Sequence, residues 1–139
     1  MTTPTAPAPI VYETRIPLRW RDLDAYNHAN NSSYLTFLEE TRIQWLAGLI
    51  QDWDAQQSAP VMAASLLNYR TPILWPATVR VQMVVDRLGN SSVTIGHRIL
   101  SEDGATLHCD GHVVLVWIDR RSGQPTALPE VVRAACAAA

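Results

Sequence analysis

Residues 21–50 read RDLDAYNHANNSSYLTFLEETRIQWLAGLI, and their character changes once, near Asn31. Arg21 to Asn31 is polar and shows neither the two-residue nor the 3.6-residue apolar period, which predicts a loop. From Ser32 to Ile50, Tyr34, Leu38, Trp45 and Leu49 share one helical face with Leu35 and Leu46, while Thr36, Glu39, Glu40 and Gln44 share another. The spacing predicts one long amphipathic helix. Asn30, Asn31 and Ser32 suit its N-cap, because a short polar side chain accepts from the open N–H groups of a first turn.

On either side of this stretch the pattern is that of strands. Ile10 to Trp20 is rich in β-branched and aromatic residues, and Pro17 argues for a sheet edge. Gln51 to Pro60 reads as a connector and Val61 to Tyr69 as a strand. Val79, Val81, Met83 and Val85 alternate with Arg80, Gln82 and Asp86, the mark of a half-buried strand. Leu88-Gly89-Asn90 turns the chain into Ser92 to Leu100, and Asp103-Gly104, a two-residue hairpin signal, turns it into Thr106 to Ile118. Val113 to Ile118 is apolar throughout, which predicts an inner strand covered on both faces. One long helix among about five antiparallel strands makes the fold class α+β, the sheet wrapped around the helix. One helix shields one face only, so a symmetric homo-oligomer is expected.

The domain implied is single and spans residues 10–133, between an N-terminal tail over 1–9 and a C-terminal tail over 134–139. Thr, Ala and Pro dominate Met1 to Pro9, which has neither the basic nor the apolar region of a secretion signal. No apolar run reaches the ~18–20 residues needed to span a bilayer. The net charge of −2 argues against nucleic acid and anionic membranes as partners. All 11 basic residues are Arg, which excludes lysine Schiff-base chemistry and leaves Arg as the strong phosphate donor. Cys109 and Cys136 have no metal-ligand spacing and form no disulfide framework, so no metal and no cofactor is expected, and a cytoplasmic location fits.

The chemistry-bearing residues crowd into the polar loop. A carboxylate just ahead of a helix start can act beside a carbonyl whose developing oxyanion is held by open first-turn N–H groups, an arrangement suited to acyl transfer. A thioester needs little more, because its thiol leaves with little protonation. Asp22 and Asp24 have a second reading as turn residues that bind loop amides. An EF-hand-like calcium loop fails, since its Gly position holds Asn27 and its closing Glu position holds Ser33.

The run from Leu18 to Arg42, LRWRDLDAYNHANNSSYLTFLEETR, resembles the signature of the 4-hydroxybenzoyl-CoA thioesterase-like hotdog family, particularly its long-chain acyl-CoA thioesterase branch. Asn68-Tyr69-Arg70, the turn at Gly89 to Ser92, Asp103-Gly104 and the last apolar strand extend the resemblance over most of residues 10–133. It implies a hotdog fold, hydrolysis of acyl-CoA thioesters, and a dimer or tetramer with an active site at each end of the subunit interface. By the same resemblance Asp24 is the nucleophile or general base, and the amides near Asn31 and Ser32 form the oxyanion hole. Tyr26, His28 and Asn30 are then candidate substrate contacts, and Arg70, Arg120 and Arg121 candidate partners of the CoA phosphates. His28 also reads as a loop-fixing residue and Asn30 as a cap. Two departures from the family pattern, Tyr26-Asn27 and Trp75-Pro76, bear on the shape of the acyl pocket. A non-catalytic module that binds acyl-CoA or an acyl carrier is the rival reading on the same fold. A hydratase or dehydratase ranks behind it, for lack of a His-rich, Pro-Gly-containing segment.

Overall fold

A strand that buries one face sets alternate side chains on it, and Val79, Val81 and Met83 are each fully buried. They belong to β3 (Thr78–Leu88) in a computed structural model that describes residues 8–138. The other strands are β1 (Ile10–Pro17), β2 (Ser58–Tyr69), β4 (Ser92–Ser101) and β5 (Leu107–Asp119), and the helices are α1 (Asn31–Leu49) and α2 (Glu130–Ala137). The strands form one antiparallel sheet in the order β1-β3-β4-β5-β2. Strands β3, β4 and β5 are the expected meander, and β1, which ends at Pro17, is an edge.

Helix α1 lies on the inner face of the sheet. Tyr34, Phe37 and Leu38 of its first half pack with Val79, Val81, Ile99 and Ile73, and Trp45 of its second half packs with Met83, Ile95, Val113 and Trp117. Each fully buried Val, Ile, Leu, Phe or Met stabilises the fold by about 1.5–3 kcal/mol relative to an exposed one, so these two clusters fix where the helix starts and ends. Arg42 is buried in mid-helix and His97 on β4, and Arg42 Nη1 and both His97 ring nitrogens have no hydrogen-bond partner among the described residues. Burial, then the nearby Arg42 charge, pushes the His97 pKa down to about 3, so the ring is a neutral core residue.

Several expected boundaries shift. Strand β1 stops at Pro17, and Trp20–Asp22 forms a single 3-10 turn instead of continuing the strand. Strand β2 starts at Ser58, within the expected connector, because an edge strand tolerates Pro60. The two-residue hairpin at Asp103-Gly104 is a longer loop between Ser101 and Leu107, in which the Asp103 carboxylate accepts from Ala105 N at 3.0 Å and Ser101 Oγ at 2.6 Å. Leu35, placed on the apolar helix face, remains 38% exposed, while Thr41 and Arg42 are buried. Helix α2 runs on to Ala137 and buries Val132 and Cys136 against the second cluster, so an apolar face docks part of the expected 134–139 tail. The 1–9 tail falls mostly outside the described residues.

The double cover expected for Val113 to Ile118 holds on one side. Val113, Leu115 and Trp117 are buried, but Val114, Val116 and Ile118 are only half-buried. Strand β2, the other edge, leaves Val61, Met62 and Leu66 exposed. It approaches β5 so closely that a Cβ on Gly111 would meet the Leu66 carbonyl oxygen.

Candidate active site

The loop ahead of α1 is built on two acids with different tasks. Asp22 is buried, and its carboxylate accepts from Arg19 N at 2.8 Å and faces the Arg19 guanidinium at 3.4 Å. Its carbonyl accepts from Asn30 N at 2.7 Å and Ser33 Oγ at 3.1 Å, tying the loop to the helix start. Asp24 lies on the small loop closed by the antiparallel bridge between Leu23 and Ala29. Its Oδ1 accepts the N–H groups of Tyr26 at 2.8 Å and His28 at 3.2 Å, and its own N–H donates to the His28 carbonyl at 2.8 Å. Asn27 takes φ 60°, a left-handed conformation that Asn tolerates better than most side chains.

One carboxylate oxygen is therefore fixed by backbone, and Oδ2 has no hydrogen bond among the described residues. Asp24 is exposed and lines a cavity of about 400 Å³ with Trp20, Leu23, Ala25, Asn27 and Trp75. The Trp20 and Trp75 rings meet edge to face at 5.3 Å. Burial chiefly, and then the nearby Cys109, raise the Tyr34 phenol above its usual range.

At that turn Asn30 is the N-cap, with its side-chain oxygen accepting Ser32 N at 3.1 Å and Ser32 Oγ at 3.1 Å. Ser33 N donates to the Asn30 carbonyl at 2.8 Å. Of the two amides expected at an oxyanion hole, that of Ser32 is thus occupied by the cap, and that of Asn31 has no partner among the described residues. The Asn31 carbonyl accepts the Tyr69 hydroxyl at 3.3 Å, and the Tyr69 ring stands edge-on to Tyr34 at 5.0 Å.

The other candidates divide. Tyr26 is exposed beside Asp24. His28 is half-buried, and its backbone bridges to Leu74. Arg70 pairs with Asp110 at 3.1 Å, and strand alternation after Tyr69 turns it toward the face away from α1. Arg120 donates to the carbonyls of Asp54 at 2.9 Å and Gln56 at 3.1 Å, and Arg121 lines a depression with Gln57 and Asp119. The register Tyr69 to Cys109 and Ser58 to Asp119 puts these two arginines at the opposite end of β2 from the helix start. Within one chain the structure does not bring them to Asp24. Trp20 and Tyr69 are additions to the candidate set: Trp20 reads in the sequence as the end of the first strand, and Tyr69 only as part of the Asn68-Tyr69-Arg70 resemblance. No cluster of His, Cys, Asp and Glu able to hold a metal occurs among the described residues.

Comparison with known proteins fits this geometry. The long-chain acyl-CoA thioesterase FadM of Escherichia coli is 29% identical over 123 residues, covering 87% of this chain and 93% of the relative. The PA2801 protein of Pseudomonas aeruginosa is 36% identical, with a TM-score of 0.86 over 91% of this chain and 98% of its own. A thioesterase from Thermus thermophilus, solved with coenzyme A and zinc, is 32% identical, with a TM-score of 0.81 over 93% of each chain. The sequence profile of the thioesterase-like superfamily matches residues 18–136, and the chain, an antiparallel sheet wrapped around one long helix in the hotdog manner, belongs to that superfamily.

Proposed function

We propose that this protein hydrolyses acyl-CoA thioesters to the free acid and CoA, with Asp24 as the carboxylate that starts the reaction. The observation that carries the reading is the position of Asp24: in the wall of a cavity, one oxygen held by two amides, close ahead of a helix whose Asn31 amide is unpaired among the described residues. Asp24 either takes a proton from the attacking water or attacks the carbonyl itself, expelling the thiolate to leave an anhydride that water then hydrolyses, and both routes need the ionised form. The Asn31 N–H, at the positive end of α1, receives the carbonyl oxygen as it gains charge. The thiolate departs without a dedicated acid. Support for CoA as the carrier comes from FadM, named as an acyl-CoA thioesterase, and from the Thermus relative's coenzyme A.

The active unit in this reading is a cytoplasmic dimer. Strand β2 presents an unpaired edge with exposed apolar residues, and antiparallel pairing with a second β2 would continue the sheet. Thiol release from a panel of acyl-CoAs, by wild type and by Asp24→Asn, tests the proposal. Turnover that depends on the Asp24 charge supports it, and turnover indifferent to Asp24→Asn removes Asp24 from the chemistry. The rival reading, a binding module, draws on the two amides that Asp24 holds, which a structural loop aspartate would also hold. Tight acyl-CoA binding with no thiol release by the wild type would select it.

A further inference from the structure

The two apolar clusters of the core meet along a polar seam. On α1, Leu38 belongs to the first cluster and Trp45 to the second, and Arg42 stands between them. On β4, Ile99 belongs to the first and Ile95 to the second, and His97 lies between. On β5, Gly111 separates Cys109 from Val113 and is the cross-strand partner of His97. Having no side chain, it leaves the seam unfilled. Arg42 and His97 are only 5% and 3% exposed, and the Arg42 charge is felt at the His97 ring, so the two groups stand close together.

What they bring to the seam is donors. A guanidinium stays protonated and has no acceptor, and a neutral imidazole carries one N–H. Yet Arg42 Nη1 and both His97 ring nitrogens, all shut off from solvent, have no hydrogen-bond partner among the described residues, and Arg42 forms no ion pair there. The one carboxylate whose charge acts on Arg42 is that of Glu39, which is exposed. A buried charge without a counter-charge is strongly destabilising. A water molecule would satisfy the donors but bring no charge. Leu38, Trp45, Ile95 and Ile99, all buried, close the seam on both sides, so only a small group fits. We propose that Arg42 and His97 hold a small monovalent anion, of the size of chloride, between α1 and the sheet. The Arg42 Nη1–H and one N–H of a neutral His97 donate to it, and the ion supplies the negative charge that a buried carboxylate would supply elsewhere. This site is separate from Asp24 and does not depend on the thioesterase reading.

The test follows thermal melting of the wild type, Arg42→Met and His97→Leu as chloride replaces gluconate at fixed ionic strength. Both substitutions roughly keep the side-chain volume and remove the donors. The wild-type melting temperature should climb to a plateau, by roughly 2–6 °C at saturation, bromide should act as chloride does, and neither variant should respond. A wild type that shows no saturable rise, or variants that respond as it does, overturns the site. A crystal of the wild type grown in bromide gives the second readout, which stands even where a variant does not fold. An anomalous peak within hydrogen-bonding reach of Arg42 Nη1 and His97 is expected there. An ordered water in that place, or the Glu39 carboxylate turned inward onto Arg42, overturns the proposal.

Discussion

Asp24 and His28 are joined twice through the backbone: the Asp24 N–H donates to the His28 carbonyl at 2.8 Å, and the His28 N–H donates to Asp24 Oδ1 at 3.2 Å. The carboxylate is thus both a structural acceptor and the charge proposed to start catalysis. Asn at this position can still accept from the two amides but carries no charge. Asp24→Asn should therefore keep the melting temperature near that of wild type and lower kcat by about 10²–10⁴, whereas Asp24→Ala should lower both. Thermal melts beside thiol-release kinetics separate the two effects.

Removing the cap should loosen the site from the other side. Asn30→Ala leaves the Ser32 amide without its acceptor and should cost about 1 kcal/mol, with Asn30→Asp recovering most of it. Urea titrations of the three proteins measure this directly.

Gly111 has φ 151°, and a Cβ there would run into the Leu66 carbonyl oxygen, so the β2–β5 ladder admits no side chain at this point. Gly111→Ala should destabilise the protein by on the order of 1–3 kcal/mol. A denaturation midpoint that does not move would show that β2 can shift away from β5 at no cost.

The pH dependence of stability should carry a mark from His97. Its folded pKa of about 3 lies below the ordinary 6.5, so between these values the unfolded chain binds more protons than the folded one. The stabilisation is complete above pH 6.5 and is lost as the pH falls toward 3. His97→Gln should flatten that part of a plot of melting temperature against pH, and an unchanged slope would assign it to other groups.

What the residues disclosed in order, and what they concealed, follows from range. The loop and α1 were legible because Asp22 to Ser33 and the Tyr34, Leu38, Trp45 spacing act within one or two turns of chain. The meander was legible for the same reason. Pro60 hid the start of β2, since a proline says nothing of whether its strand lies at an edge. Helix α2 follows Pro129 with no side-chain cap, and only its burial against β-sheet residues far off in sequence explains it. Tyr69 reaches Asn31 across 38 positions, a contact no local pattern announces. Within the site, the resemblance implied the Asn31 and Ser32 amides as an oxyanion hole, and the cap reading of Asn30 did not say that it would occupy the Ser32 amide.

Strand β2 ends the sheet with a row of backbone groups turned to solvent along Ser58–Tyr69. In the dimer proposed above a second copy would complete that edge, which would make completion a bimolecular event. Specific activity should then fall on dilution, and the cell could set the enzyme's output through how much of the chain it makes.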